Sequence, residues 1–535
     1  MAHVNTPLTT DRTRPCTWPR CWGLWLVPLL CIASFLRFHD IGGPSLWRDE
    51  IWSIEISTGR GSLHDHLPVG IIQPNQIDLT GLRDAPPWWR IGSTLAGVAH
   101  PPLYHVLLRW WMDFFGNTAV TVRVLSAVCS LAAIAVLFDV CRLLHGPKVG
   151  LLAAGMMTLA PTQIDFAQEA RSYALLILLG LGCCDALVRI ERYGASWPRL
   201  TAVALLLLGT AMTHYFAAGA MLALAIYALL RCRGSARRKT LAAFAVAAVL
   251  FAALWVHPLY VQFHTLPVSA PPYLREPMPH HAPYTLLRLL ALPGQFLFGE
   301  MAADSIYRAK TAVDWLFRLI MLAIAALALV LPPVLLARRR DLLLWVLWVF
   351  AVIGPVFLLD LIQHRTFMNY VRYTILASPA VYALIAALDW PARPALGAAP
   401  VAAILVCLAI LATIRTSVHV APREDWRRLA VSLDANASAD DLLVFYGDDP
   451  WQSPGTWYMG FKYYAPDSNR PWLILDHPAD PPLLSRLQAR HTLWLIGLYP
   501  ATEGPELLPG WQTAGTELRT TAGCVCRMVR PAVRP

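Results

Sequence analysis

The chain has 535 residues, of which 56% are apolar and only 15% charged, with a mean hydropathy of +0.48. A soluble globular chain carries about 25% charged residues, so this one lacks the polar surface of a water-soluble fold; disorder, collagen and a small disulfide scaffold are excluded by the same numbers. The formal net charge is +10, an excess that in an integral membrane protein reports orientation rather than nucleic-acid binding.

A membrane-crossing helix needs about 17–25 mostly apolar residues. The first such run, residues 22–37, follows a basic start carrying Arg12, Arg14 and Arg20. No small-residue cleavage site follows it, so it reads as an uncleaved first helix behind a cytoplasmic N-terminal tail over 1–21. A long outer loop over 39–119 comes next. Inside it, residues 103–115 (LYHVLLRWWMDFF) read as an amphipathic helix at the outer interface, because the segment is short and a span there would invert every later basic loop.

Further apolar runs lie at 120–144, 149–167, 173–190, 200–230, 241–257, 313–337, 342–362, 374–390 and 397–414. The linkers at 145–148, 191–199, 231–240, 338–341 and 391–394 are short and mostly basic, which places them in the cytoplasm. Both flanks of 200–230 are basic, so that run divides into two short helices around a recessed turn at 213–216 (THYF). The count is about 11 transmembrane helices, N-terminus inside and C-terminus outside. The Pro-rich outer loop 258–312 carries an interfacial helix near 284–298, and His280-His281 within it are spaced too poorly for zinc.

The tail changes composition. Residues 424–434 read as an amphipathic helix, 442–446, 472–475, 492–498 and 525–529 as short strands, and 483–490 as helical. The expected architecture is an all-α polytopic membrane domain over 22–414 with interfacial helices, followed by a small C-terminal α/β extramembrane domain over 415–535. Most cysteines sit in or beside spans, and Cys524 and Cys526 on one strand are too far apart to bridge, so no disulfide framework is expected.

Span centres hold almost no charge. A transporter carries polar groups near the bilayer midplane; here they gather on the outer face instead. Asp49 and Glu50 follow the first span closely, flanked by Trp47 and Trp52 (SLWRDEIWS, 45–53). His100 opens the interfacial helix (HPPLY), Glu169 and Arg171 sit between two spans (QEARSY), His214 and Tyr215 lie in the recessed turn, and Arg372 and Tyr373 precede another span (NYVRY). Taken singly, each has a bland reading: a solvated loop acid, an amphipathic His, a self-satisfied ion pair, a helix-end Arg.

Taken in order, LWRDEIWS, HPPLYHVLLRWWMDFFG, GPKVGLLAAGMMTLAPTQIDFAQEARSYALL, THYF and RYTILASPA resemble the bacterial GT-C membrane glycosyltransferases, more narrowly the ArnT/protein-O-mannosyltransferase-like (RgtA/B/C/D-like) group. The resemblance covers roughly residues 24–390, with a weaker echo in the tail. It implies the GT-C fold and an inverting transfer of a sugar from a polyprenyl-phosphate donor to an envelope glycan, lipid or protein acceptor at the periplasmic face of a bacterial inner membrane, as in lipopolysaccharide modification. It makes Asp49 the general base and maps the second acidic position onto Glu169, with Glu50 beside the base. His100, Arg171, His214, Tyr215, Arg372 and Tyr373 are then the candidates for holding the donor phosphate or substrate. His100 stands where the family often has Lys, so its charge is in question. No cofactor is required; a divalent metal between Asp49 and Glu169 stays open. Membrane lipids are partners and nucleic acid is not. The stretch 74–89 reads as an insertion without a role. The rival readings are a lipid or glycan transporter or flippase, an oligosaccharide ligase of the same fold, and an assembly protein that kept the fold without catalysis.

Overall fold

In lipid a backbone must satisfy its own hydrogen bonds, and helix is the local way to do so. The computed structural model of this chain is accordingly helical through its apolar part. It describes residues 22–269, 282–299, 310–364, 366–388, 394–418, 423–447, 453–490, 492–497 and 506–529. The N-terminal tail 1–21 and the His280-His281 pair lie outside the described residues.

Helix α1 (Trp22–Phe38) leads into the first loop, which holds α2 (Arg48–Ser57) and α3 (Leu103–Phe115). Then come α4 (Ala119–His145), α5 (Pro147–Leu159), α6 (Pro161–Ala167), α7 (Tyr173–Tyr193), α8 (Trp197–Ala211), α9 (Ala218–Arg231) and α10 (Gly234–Ser269). After these, α11 (Ala282–Phe298), α12 (Ala312–Ala325, continuing through a π-turn into Leu331–Leu335), α13 (Leu343–Gln363), α14 (Ser378–Ala387) and α15 (Pro394–Ser417) complete the apolar part. Among the described residues, six helices are long and apolar enough to cross a membrane, and six shorter apolar helices of 10–17 residues accompany them. This is a multi-pass membrane protein. Its outer helices turn large side chains such as Val249, Phe263, Val313 and Leu319 outward, where lipid is the natural neighbour.

The structure corrects one expectation. The run 149–167 is not one span: it breaks at Ala160, whose ψ of 120° suits a residue before proline. Pro161 has no N–H, so the carbonyl of Met157 loses its helical donor. Arg37, buried at the end of α1, fills the gap: Nη2 donates to Met157 O at 3.0 Å and Nη1 to Thr158 O at 3.1 Å. Helix α11, read as interfacial, sends Ala291, Leu292, Phe296 and Leu297 into the main hydrophobic core, each fully buried, and leaves Leu286 exposed. Helix α3 keeps its expected two-sided character, burying Tyr104, Leu108 and Met112 and exposing Phe114.

The tail is α/β. Helix α16 (Trp426–Asn436), β1 (Leu442–Tyr446), α17 (Gly455–Tyr464), β2 (Trp472–Leu475), α18 (Pro481–Leu487), β3 (Thr492–Gly497), β4 (Gln512–Arg519) and β5 (Cys524–Val529) form it, with sheet order β2-β1-β3-β5-β4. Strand β1 runs parallel to both neighbours, while β5 is antiparallel to β3 and β4. The first loop docks on this sheet and gives the unassigned insertion a place. Gln73 exchanges backbone hydrogen bonds with Trp472 (2.8 and 2.9 Å), Gly70 donates to Ile474, and Trp472 Nε1 donates to Asn75 O. The edge of β2, otherwise a template for unwanted pairing, is covered by the chain's own first loop.

Candidate active site

The break at Pro161 sends α6 toward a tight loop, 168–172, carrying Glu169 and Arg171. The loop after α1 delivers α2, whose first turn carries Arg48, Asp49 and Glu50, acids at an N-terminus being favoured by the helix dipole. His100 precedes α3, His214 sits in the turn between α8 and α9, and Arg372 lies in a run of 3₁₀ turns before α14. These five chain segments converge.

Asp49, whose side chain is 18% exposed, is the centre. Arg372 Nη1 stands 3.3 Å from its Oδ2, and Arg171 Nη2 stands 3.8 Å from the same oxygen. Arg171 is almost wholly buried and fixed from below: Nη1 donates to Ser53 Oγ at 3.1 Å and to the Asp49 carbonyl at 3.2 Å. Ser53 Oγ in turn donates to that carbonyl. Burial works against the Arg171 charge, but the Tyr173 and Asp49 side chains outweigh it, so the guanidinium is held protonated. Arg372 lies over the rings of Tyr370 (4.8 Å) and Tyr373 (5.3 Å), which fix its plane through cation–π contact.

Arg171 Nη2 also reaches His100 Nε2 at 3.5 Å, and the His100 and His214 rings stand 5.3 Å apart. Burial, then Arg171 and His214, hold the His100 imidazole well below its usual value. Burial, then Arg171 and Arg372, push His214 down to about 3. Both shifts favour the neutral imidazole, which bears on the charge of His100 that the sequence leaves in question: two guanidiniums already occupy that field. His100 Nδ1 and His214 Nε2 are buried without a hydrogen-bond partner among the described residues.

Glu50 and Tyr215 belong elsewhere. Glu50 is fully buried: its carboxylate accepts from Arg123 Nε (2.8 Å) and Nη2 (2.7 Å), from Ala170 N (2.8 Å) and from Trp47 N (3.3 Å). It ties α2 to α4 and to the loop 168–172, and no oxygen is left for a substrate proton. Tyr215 turns toward α10, where its hydroxyl donates to Gln262 Oε1 and accepts from Trp255 Nε1. Tyr373 faces Phe216 at 5.1 Å and lines the aromatic wall beside His214.

Glu169 turns toward the tail, with Arg423 Nη1 2.8 Å from Oε1, while Oε2 is buried without a hydrogen-bond partner among the described residues. Burial raises its carboxyl to about 7, and Arg423 offsets this only in part. The tail clamps the site further: Glu424 accepts from Arg48 N at 2.7 Å, and Arg423 lies over Trp47 at 4.9 Å. The donor set does not suit a divalent metal. Asp49 faces Arg171 and Arg372, Glu50 faces Arg123 and Glu169 faces Arg423, so each carboxylate already has a cation. No group of three or more His, Cys, Asp or Glu able to hold a metal lies among the described residues.

Sequence reasoning missed Arg123, Ser53 and Arg423. Arg123 left a signal: a lone Arg within an apolar run (AVTVRVLS) needs a buried partner. Arg423 immediately precedes the EDWRR motif at the head of the tail. Ser53 left none, since its role is to hold another side chain.

Residues 99–257 match the family model described as dolichyl-phosphate-mannose-protein mannosyltransferase. That span contains His100, Glu169, Arg171 and His214. No curated protein matches the chain by sequence. Among solved structures, the apo oligosaccharyltransferase of Archaeoglobus fulgidus is similar at 11% identity and a TM-score of 0.50, over 91% of this chain and 71% of that one. ArnT of Cupriavidus metallidurans bound to undecaprenyl phosphate is similar at 16% identity and a TM-score of 0.46, over 94% and 98%. The resemblance to GT-C membrane glycosyltransferases that the motifs carry is borne out.

Proposed function

We propose that this chain is an inverting glycosyltransferase that moves a sugar from a polyprenyl-phosphate donor to an envelope acceptor on the periplasmic face of a bacterial inner membrane. The observation that carries this reading is the pairing of one part-exposed carboxylate, Asp49, with two guanidiniums, Arg171 and Arg372, at 3.8 and 3.3 Å. A sugar phosphodiester carries one negative charge and must leave as a phosphate. Two forks suited to phosphate oxygens beside one base are the parts such a displacement needs.

In this reading the donor phosphate takes up Arg171 and Arg372, whose planes Ser53, Tyr370 and Tyr373 hold in place. That competes with Asp49 for the same N–H groups and frees its carboxylate. Asp49 then accepts the proton of the acceptor hydroxyl. The hydroxyl oxygen forms the new bond to the anomeric carbon from the face opposite the phosphate, and the carbon–oxygen bond to phosphate breaks with its electron pair on the phosphate. The configuration inverts in one displacement through an oxocarbenium-like state. The neutral His100 and His214 offer their unpartnered nitrogens to the phosphate or sugar hydroxyls. Glu169 holds the tail against the site. The basic short linkers at 231–240 and 338–341 support the orientation, with the site and tail outside.

A transporter would need polar groups along a midplane path; the charged groups of the site lie in loops, turns and the end turns of helices, which favours the enzyme. The test is deletion of the gene followed by mass spectrometry of the envelope glycans. Loss of one defined sugar supports the reading and names donor and acceptor classes. An unchanged glycan profile with altered lipid-linked sugar distribution across the membrane overturns it in favour of transport.

A further inference from the structure

A cavity of about 520 Å³ lies away from Asp49, between the first loop, the turn between α3 and α4, and the tail domain. Its volume falls in the range of about 300–1,000 Å³ usual for small-ligand sites. Asp78, Asn117, Arg427, Lys462, Tyr463 and Tyr464 line it. Its polar walls invite an anion at first sight, but its cations are already engaged. Lys462 Nζ donates to the carbonyls of Pro466 (2.7 Å) and Ser468 (3.2 Å), and Asp78 lies near enough to act on its charge. Arg427 Nη1 and Nη2 donate to the carbonyls of Gly43 and Gly42, each at 2.9 Å. A phosphate or carboxylate would have to break these bonds to be paired. What the cavity offers instead is a pair of half-buried tyrosine rings, 4.9 Å apart and at 85° to one another, beside a carboxylate and an amide. Asp78 Oδ1 is used by the N–H groups of Thr80 and Gly81, which leaves the cavity-lining carboxylate its second oxygen as an acceptor. Arg427 lies over one side of the Tyr464 ring at 5.5 Å and Asn117 Nδ2 donates to Thr80 O at 2.9 Å, so what remains is tyrosine ring surface for C–H groups with the Asp78 and Asn117 side-chain oxygens as acceptors for hydroxyls, a set that matches a neutral sugar ring.

The cavity is tied to the catalytic loop. Tyr464 Oη accepts the Leu46 N–H at 2.6 Å, Arg427 holds Gly42 and Gly43, and Tyr463 Oη donates to Asn117 O at 2.8 Å. Leu46 precedes Asp49 by less than one helical turn of chain. We propose that this cavity is an acceptor subsite that binds a neutral saccharide unit and seats it on the loop carrying the base. This rests on the transferase reading, yet binding is measurable without transfer.

The experiment is saturation-transfer NMR on the full chain in detergent, with maltotriose, cellotriose and mannotriose as probes at about 10 mM, above the roughly 1 mM affinity of a weak site. Two fillers, Ala119→Trp and Thr118→Trp, place an indole at the cavity wall, and Asp78→Asn weakens the acceptor while keeping the local turn. At least one trisaccharide is expected to show transfer in the native and Asp49→Asn proteins. That signal should fall at least tenfold in one folded filler variant and weaken in Asp78→Asn. Added undecaprenyl phosphate should leave it unchanged. The proposal is overturned if no trisaccharide binds, if both fillers bind as the native protein does, or if undecaprenyl phosphate or inorganic phosphate displaces the sugar. Saccharide binding without any glycosyl transfer sinks the transferase reading alone; transfer without saccharide binding here sinks the subsite alone.

Discussion

Replacing Glu50 by alanine strands several donors together. Arg123 loses both guanidinium bonds to the carboxylate, and the N–H groups of Ala170 and Trp47 lose their acceptor, all at a fully buried position. Removing one partner of a buried ion pair costs about 3–5 kcal/mol. Arg123 keeps the carbonyls of Ile41, Pro44 and Ser45 at 2.9–3.2 Å, so its charge is not wholly abandoned. That argues for the lower end, about 3 kcal/mol, because those carbonyls solvate the cation that the carboxylate leaves behind. The measurement is thermal unfolding in detergent followed by tryptophan fluorescence, for Glu50→Ala, Arg123→Leu and the Glu50→Leu/Arg123→Leu pair. Each single variant should unfold well below the native protein, and the double variant should cost less than the sum of the singles, since replacing both partners by apolar groups leaves no bare charge. A Glu50→Ala protein as heat-stable as native but devoid of activity would refute the structural role and return Glu50 to the chemistry.

Four further outcomes follow from the structure. Arg171→Lys and Arg372→Lys each lose a fork to phosphate, and a charge-assisted hydrogen bond is worth about 1.5–3 kcal/mol, so undecaprenyl phosphate should bind each roughly 10–100-fold more weakly; unchanged affinity in both would separate these residues from the donor. Glu169 titrates higher folded than unfolded, so the folded state binds more protons between the ordinary carboxyl value of 4.5 and about 7. Its contribution is therefore present below 4.5 and lost as the pH rises through about 7, and the native protein should lose thermal stability relative to Glu169→Gln across that window. Arg423→Ala, by removing the offsetting cation, should raise the upper edge of that window and leave its lower edge in place. A Cβ at Gly455 would lie 1.9 Å from the His64 carbonyl oxygen, so Gly455→Ala should push α17 off the first loop and cost about 1–3 kcal/mol, read as a lower unfolding midpoint.

Much of the molecule was legible because its signals are periodic or compositional. Apolar run length located the helices, and short β-rich runs located β1, β2 and β3 within a residue or so. Strand β4 (QTAGTELR) was missed because an outward-facing polar strand has no apolar alternation. Helix α17 (GTWYMGFKYY) was missed because its aromatics and glycines are poor helix formers; tertiary packing, with Trp457 against Trp426 at 5.4 Å, overrides that propensity. The break at Ala160 was readable in principle from Ala-Pro, but the apolar count across it is uninterrupted. At the site, the motifs named the five segments that meet. What sequence could not do is sort neighbours: Asp49 from Glu50, or His214 from Tyr215. Adjacent residues on a helix or turn point about 100° apart, and only the packing decides which one faces the cleft.

The most direct measurement is glycan restoration in a deletion strain carrying Asp49→Asn protein at native abundance, together with its binding of undecaprenyl phosphate. Loss of a general base costs about 10²–10⁴ in rate, and removing the carboxylate leaves Arg171 and Arg372 freer for phosphate. The prediction is therefore sugar transfer reduced by at least a hundredfold, with lipid-phosphate binding no weaker than native. Near-native transfer by Asp49→Asn, or loss of transfer accompanied by loss of phosphate binding, would contradict the assignment of Asp49 as the base.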